Sequence, residues 1–171
     1  TITEPDGTTT KVNGPGPALS DADSRAITSE LTARALASDW VVLAGSLPRG
    51  VNTDWYCDLI SAVRAAAPQA RIAVDTSDAP MQAIGESLNS AAPDLIKPNG
   101  LELGQLTGTD GRELENQAAR GEYSGVVRAA RDVVKQGIAE VLVTLGGAGA
   151  VLVTADGAWA ATPPPATVSY T

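Results

Sequence analysis

The chain has 171 residues, 43% of them apolar, with 12 Lys or Arg against 20 Asp or Glu for a formal charge of -8; this suits one globular domain and disfavours both global disorder and a nucleic-acid partner, whose affinity is built on Lys and Arg. There is no histidine and one cysteine, Cys57, which excludes Ser-His-Asp and Cys-His nucleophiles, histidine metal sites, an intrachain disulfide and a Cys-Cys zinc site. No apolar run approaches bilayer length and the start has no charged-then-apolar signal pattern, so the expectation is a cytoplasmic domain with no membrane partner, and any metal it uses is a hard ion such as magnesium held by oxygen.

Pro5-Asp-Gly7 is turn chemistry beside the β-prone run Thr8-Thr-Thr-Lys-Val-Asn13, and Gly14-Pro-Gly-Pro17 breaks the chain. Ser20 is placed to cap a helix in which Asp21 and Asp23 suit the positive end and Ile27, Leu31 and Ala35 recur at helical spacing. Trp40-Val-Val-Leu-Ala44 has the continuous apolar character of a buried strand. A loop over 45–51 and a helix over about 53–67 follow, then a strand over 71–75, a weaker helix over 81–88, a strand over 94–97 stopped by Pro98, and a helix over 101–106. Residues 108–123 are polar and ambiguous, read as a mobile helical insertion. Val126, Ala130, Val133 and Val134 predict another amphipathic helix closed by Gly137. Then come a strand over 140–145, a glycine turn at 146–149 too short for a helix, and strands over 150–154 and 158–161 around the turn Ala155-Asp-Gly157. Strands alternating with helices predict a mostly parallel sheet with helices on both sides, and the terminal hairpins predict antiparallel edge strands. Pro163-Pro-Pro165 is a stiff connector, and Cys57 is a small core residue without a role.

In open α/β sheets, ligands sit beyond the carboxyl ends of the strands, so the loops leaving those ends carry the candidate residues. Asn99 and Glu102, one helical turn apart, suit a hydrated magnesium; the same spacing is a capping box. Lys97 is placed to meet phosphate, or to hold its head in solvent. Thr144-Leu-Gly-Gly-Ala-Gly149 brings backbone N–H groups toward a polyphosphate, or is a plain hairpin turn; a strand follows where a P-loop needs a helix. Gly45-Ser-Leu-Pro-Arg-Gly50 suits a phosphorylated or hydroxyl-rich ligand, or is a loop before a helix. Asp75 is a metal candidate or a turn carboxylate, with Thr76 and Ser77 as competing caps. Placed on one rim, these groups describe a site for phosphates and a hard metal, and phosphoryl transfer needs no histidine.

Five stretches in order, Thr10-Lys-Val-Asn-Gly-Pro-Gly-Pro17, Gly45-Ser-Leu-Pro-Arg-Gly-Val51, Val74-Asp-Thr-Ser77, Lys97-Pro-Asn-Gly-Leu-Glu-Leu103 and Val143-Thr-Leu-Gly-Gly-Ala-Gly-Ala150, resemble the ribokinase-like (pfkB) carbohydrate kinases. The Gly-Ser-Leu-Pro loop looks most like the branch acting on sugar phosphates such as fructose 1-phosphate and tagatose 6-phosphate. The resemblance implies a three-layer α/β/α core over 18–171 and a small β lid that includes residues 1–17, closes over the sugar and often builds a homodimer. It implies ATP and magnesium as cofactors. Lys97, Asn99, Thr144, Gly146, Gly147 and Gly149 would meet the nucleotide. Glu102, Asn99 and, with a looser match, Asp75 would serve the metal, and Ser46 would face the sugar phosphate. Relatives begin with a strand and a glycine-rich sugar-binding segment, neither of which is found here. They also carry a Gly-Ala-Gly-Asp motif whose aspartate is the general base and whose helix start receives the transferring phosphate; the chain stops short of it. The resemblance therefore implies an internal fragment of a kinase, with no catalytic base of its own and negligible activity in isolation.

Overall fold

A computed structural model of the chain describes residues 2–3, 9–10 and 16–164. The expected turn at 5–7, the first half of the break at 14–17 and the segment beyond Pro164 lie outside the described residues. Strands β1 (Ile2–Thr3) and β2 (Thr9–Thr10) pair antiparallel as a separate two-stranded sheet. Helix α1 (Asp21–Ala35) starts at a capping box: the Ser20 hydroxyl accepts from the Asp23 amide, and the Asp23 carboxylate accepts from the Ser20 amide.

The rest builds one six-stranded sheet. Its elements are β3 (Trp40–Ala44), α2 (Trp55–Ala66), β4 (Arg71–Asp75), α3 (Asp78–Glu86), α4 (Leu88–Ala91), β5 (Leu95–Ile96), α5 (Gly100–Thr107), α6 (Gly111–Ala119), α7 (Ser124–Lys135), β6 (Glu140–Thr144), β7 (Ala150–Thr154) and β8 (Ala158–Ala161). The strands lie in the order β3-β4-β5-β6-β7-β8; the first four run parallel, and β7 and β8 add antiparallel at the edge. This is the α/β fold with a mostly parallel sheet and antiparallel edge that the sequence predicts.

Because the parallel strands add always in one direction, right-handed crossovers put the connecting helices on one face. Alternate residues Val41, Leu43, Ile72, Val74, Val141 and Val143 point into that helical layer and are buried. Each contributes about 1.5–3 kcal/mol of transfer free energy. Ile60 and Val63 of α2, Leu103 of α5, and Val126 and Val133 of α7 meet them, as one continuous core. On the other face Trp40 and Val42 stay exposed, so among the described residues the helices cover one face of the sheet, where the sequence reading places them on both.

Two local readings change. The helix expected within residues 108–123 is present but packed rather than loose: α6 is capped by Asp110, whose carboxylate accepts from the Arg112 and Glu113 amides. It packs backbone to backbone on α5, since a Cβ on Gly104 would lie 2.6 Å from the Gly111 nitrogen. The glycine turn also holds one turn of 3-10 helix, Gly146–Ala148. At the amino edge of the sheet, Asp94 accepts from Arg64 at 2.7 Å and from the Ile72 amide at 2.6 Å, while Arg71 pairs with Glu140 and stacks on Trp40. These charges tie strands together away from the candidate loops.

Candidate functional site

At the carboxyl edge of the parallel strands lies a cleft of about 250 Å³ lined by Gly45, Ser46, Asp75, Thr76, Ser77, Lys97, Asn99, Glu102 and Thr144. Four loops supply it, one from each parallel strand. Concavities of about 420 and 530 Å³ occur elsewhere, beside Glu140 and Asp156 and between α1 and α2. They are larger but hold no lysine and do not gather the residues at the carboxyl ends of the parallel strands, so chemistry rather than volume selects the smaller cleft.

The strand ends are stitched together beyond the regular ladder. Gly45 N–H donates to the Asp75 carbonyl at 2.9 Å, Lys97 N–H to the Val74 carbonyl at 3.1 Å, and Thr144 N–H to the Pro98 carbonyl at 2.9 Å. Asn99 and Thr144 form a further parallel bridge. The side chains therefore hang from a continuous backbone rim.

Asn99 and Glu102 form the capping box of α5: the Asn99 amide donates to Glu102 Oε2, and the Glu102 amide to Asn99 Oδ1, both at 2.8 Å. Capping and ligand binding are compatible here. Glu102 spends one oxygen on the cap, and its Oε1 has no hydrogen bond among the described residues while the side chain lines the cleft. Lys97 Nζ lies 3.1 Å from Asp75 Oδ1. This ion pair places a cation in the cleft and offsets one of its two carboxylate charges.

Ser46 is exposed on a loop fixed at both ends. The Arg49 carbonyl accepts from the Leu19 amide at 2.8 Å, and the Gly45 carbonyl accepts from Tyr56 Oη at 3.0 Å and Thr76 Oγ1 at 2.9 Å. Burial, with a smaller push from the Asp75 charge, raises the Tyr56 phenol above its ordinary value and keeps it a donor. On the opposite side, Tyr123 Oη donates to the Ala148 carbonyl at 2.9 Å and anchors the glycine turn. Gly149, at φ +92°, has no room for a Cβ against the Ala161 carbonyl. Burial also raises the Cys57 thiol, leaving it an unreactive core group.

The structure thus brings Ser46, Asp75, Lys97, Asn99, Glu102 and Thr144 into one cleft. Gly146, Gly147 and Gly149 do not line it; they sit on the turn that continues from Thr144. Sequence reasoning missed Tyr56 and Tyr123, which touch the loops only through backbone carbonyls.

The sequence matches the pfkB family of carbohydrate kinases over residues 1–171. It is 39% identical over 163 residues to a 1-phosphofructokinase of Rhodobacter capsulatus, covering 95% of this chain and 47% of the relative. It is 35% identical over 165 residues to a 1-phosphofructokinase of Escherichia coli, with the same 95% and 47% coverage. The fold aligns with the crystal structure of Escherichia coli phosphofructokinase-2 in complex with fructose-6-phosphate at a TM-score of 0.76 and 27% identity, over 98% of this chain and 50% of that one. The chain spans about half the length of the curated relatives it matches.

Proposed function

The chain belongs to the pfkB family of carbohydrate kinases, and on that premise we propose that the protein containing it transfers the γ-phosphoryl group of ATP to a hydroxyl of a sugar phosphate, converting fructose 1-phosphate to fructose 1,6-bisphosphate. The observation that carries this reading is the single cleft in which Ser46, Asp75, Lys97, Asn99, Glu102 and Thr144 meet from the ends of four strands. The similarity to 1-phosphofructokinases supports the choice of sugar.

In the transfer, the acceptor oxygen bonds to the γ-phosphorus as the bond to the β-phosphate oxygen breaks, and ADP leaves. Charge spreads over the γ-oxygens in the transition state, so positioned cations and N–H donors do most of the work. Lys97 supplies a cation, and Thr144 with the turn Gly146-Gly-Ala-Gly149 supplies a hydroxyl and backbone N–H groups. Ser46 faces the sugar phosphate.

Magnesium in such sites is held by one or two carboxylates plus the substrate phosphates, and keeps several waters. The cleft fits that demand: it offers the carboxylates Glu102 and Asp75, and the described residues contain no cluster of three or more acidic, His or Cys side chains that would form a protein-only metal cage. Glu102, Asn99 and Asp75 would hold the ion, which when bound offsets phosphate charge. The acceptor proton needs a base, and the 171 residues contain no Gly-Ala-Gly-Asp run. Tested alone, they are expected to show negligible turnover. Residues 1–17 are assigned to a β lid, with a homodimer through that lid, and residues 18–171 to the nucleotide-binding core.

The experiment is a coupled assay of ADP release by the complete protein on fructose 1-phosphate, fructose 6-phosphate, tagatose 6-phosphate and ribose. Highest kcat/KM on fructose 1-phosphate is expected. A preference for tagatose 6-phosphate would move the protein to a sister substrate, and no sugar-dependent release would leave a nucleotide-binding module without catalysis.

A further inference from the structure

Gly45 is held more tightly than a loop residue needs to be. Its amide bonds to the end of β4, and its carbonyl accepts two hydroxyl donors, Tyr56 Oη at 3.0 Å and Thr76 Oγ1 at 2.9 Å. The donors come from different elements, α2 and the loop after β4, and each residue is 5% exposed. Thr76 is the buried polar side chain among the described residues. A carbonyl has two lone pairs, so this one has no capacity left for a ligand.

The next residue, Ser46, is the opposite case. It is exposed, it lines the cleft, and its hydroxyl has no hydrogen bond among the described residues. Gly45 has φ +95°, so the chain bends sharply just before Ser46. The two buried hydroxyls thus hold the bend from which the free hydroxyl projects. We propose that Tyr56 and Thr76 are positioning residues that act through the Gly45 carbonyl to set Ser46 for the sugar phosphate, and so govern sugar-phosphate affinity rather than nucleotide affinity. The proposal rests on the sugar-kinase reading above.

A purely structural clamp would change stability without favouring one substrate, so the test separates the two KM values. In the complete protein, Tyr56→Phe keeps the buried ring and removes only the donor. Thr76→Val does the same for the second bond, and Thr76→Ser keeps a hydroxyl. Tyr56→Phe and Thr76→Val are each expected to raise KM for fructose 1-phosphate about five- to tenfold, the equivalent of one hydrogen bond, and to leave KM for ATP within about twofold. Amide hydrogen exchange over residues 45–47 should quicken in both, and Thr76→Ser should restore KM and exchange. Unchanged sugar KM in a working kinase, or equal rises in both KM values, would overturn the clamp's role while leaving the kinase reading intact. No turnover by the unsubstituted protein on any sugar phosphate would overturn the kinase reading itself, and the sugar role of the clamp with it.

Discussion

Replacing Glu102 with Gln removes the carboxylate charge but keeps a side-chain oxygen able to accept from the Asn99 amide, the bond now made at 2.8 Å by Oε2. The cap should survive. The stability cost is then the lost interaction of a negative charge with the start of α5, about 0.3–1 kcal/mol. Replacing Glu102 with Ala adds the lost hydrogen bond, about 1 kcal/mol more, or a few degrees in Tm for a domain of this size. Oxygen groups that hold a metal through its waters typically change affinity 10–100-fold when altered. A magnesium titration of sugar-dependent ADP release, run beside thermal unfolding, separates the two roles. Gln should raise the magnesium concentration for half-maximal rate about 10–100-fold with little change in Tm. Ala should show the same magnesium effect and the larger fall in Tm. If Gln leaves the magnesium curve in place while Ala destabilises, Glu102 is a helix cap and nothing more.

Gly149→Ala should cost about 1–3 kcal/mol, read as a lower denaturant midpoint, because φ +92° and the Ala161 carbonyl leave no place for a methyl group; a midpoint within error of the parent would contradict the turn geometry. Tyr123→Phe frees the Ala148 carbonyl and loosens the glycine turn, so KM for ATP should rise severalfold while KM for the sugar phosphate holds; a change confined to the sugar would count against placing that turn beside the nucleotide. Asp23 is held below the ordinary carboxylate range by hydrogen bonds from the Ser20 hydroxyl and amide. Its contribution is therefore complete above the ordinary value and lost as the pH falls through the lowered one. The Tm gap between the parent and Asp23→Ala should close as pH falls through that window, and a gap that persists at strongly acid pH would contradict it.

Legibility in the sequence followed how locally each feature is encoded. The strands could be read because Trp40-Val-Val-Leu-Ala44 and Glu140-Val-Leu-Val-Thr144 are continuous β-prone apolar runs; the expected burial of the first holds for one face only, since Trp40 and Val42 are exposed on the other. The cleft could be read because parallel strands deliver their next residues to one edge, and that rule alone assembles Ser46, Asp75, Lys97, Asn99 and Thr144. Tyr56 gave no such signal: on a helix beginning Trp-Tyr-Cys-Asp-Leu it reads as core, and its tie to the loop is a bond to a carbonyl 11 positions away in the chain. Helix α6 was obscured because its burial rests on Leu114, Ala118 and the close approach of Gly104 to Gly111 rather than on a broad apolar stripe. The capping and ligand readings of Asn99 and Glu102 are not alternatives, since one carboxylate has two oxygens and the cap occupies one.

The most direct measurement is a crystal structure of the complete protein with magnesium and a non-hydrolysable ATP analogue. The expected result is the triphosphate in the cleft at the carboxyl edge of the parallel strands, with Lys97, Asn99 and Thr144 within hydrogen-bonding distance of its oxygens. Phosphates bound instead at the other end of the sheet, in the concavity beside Glu140 and Asp156, would contradict it.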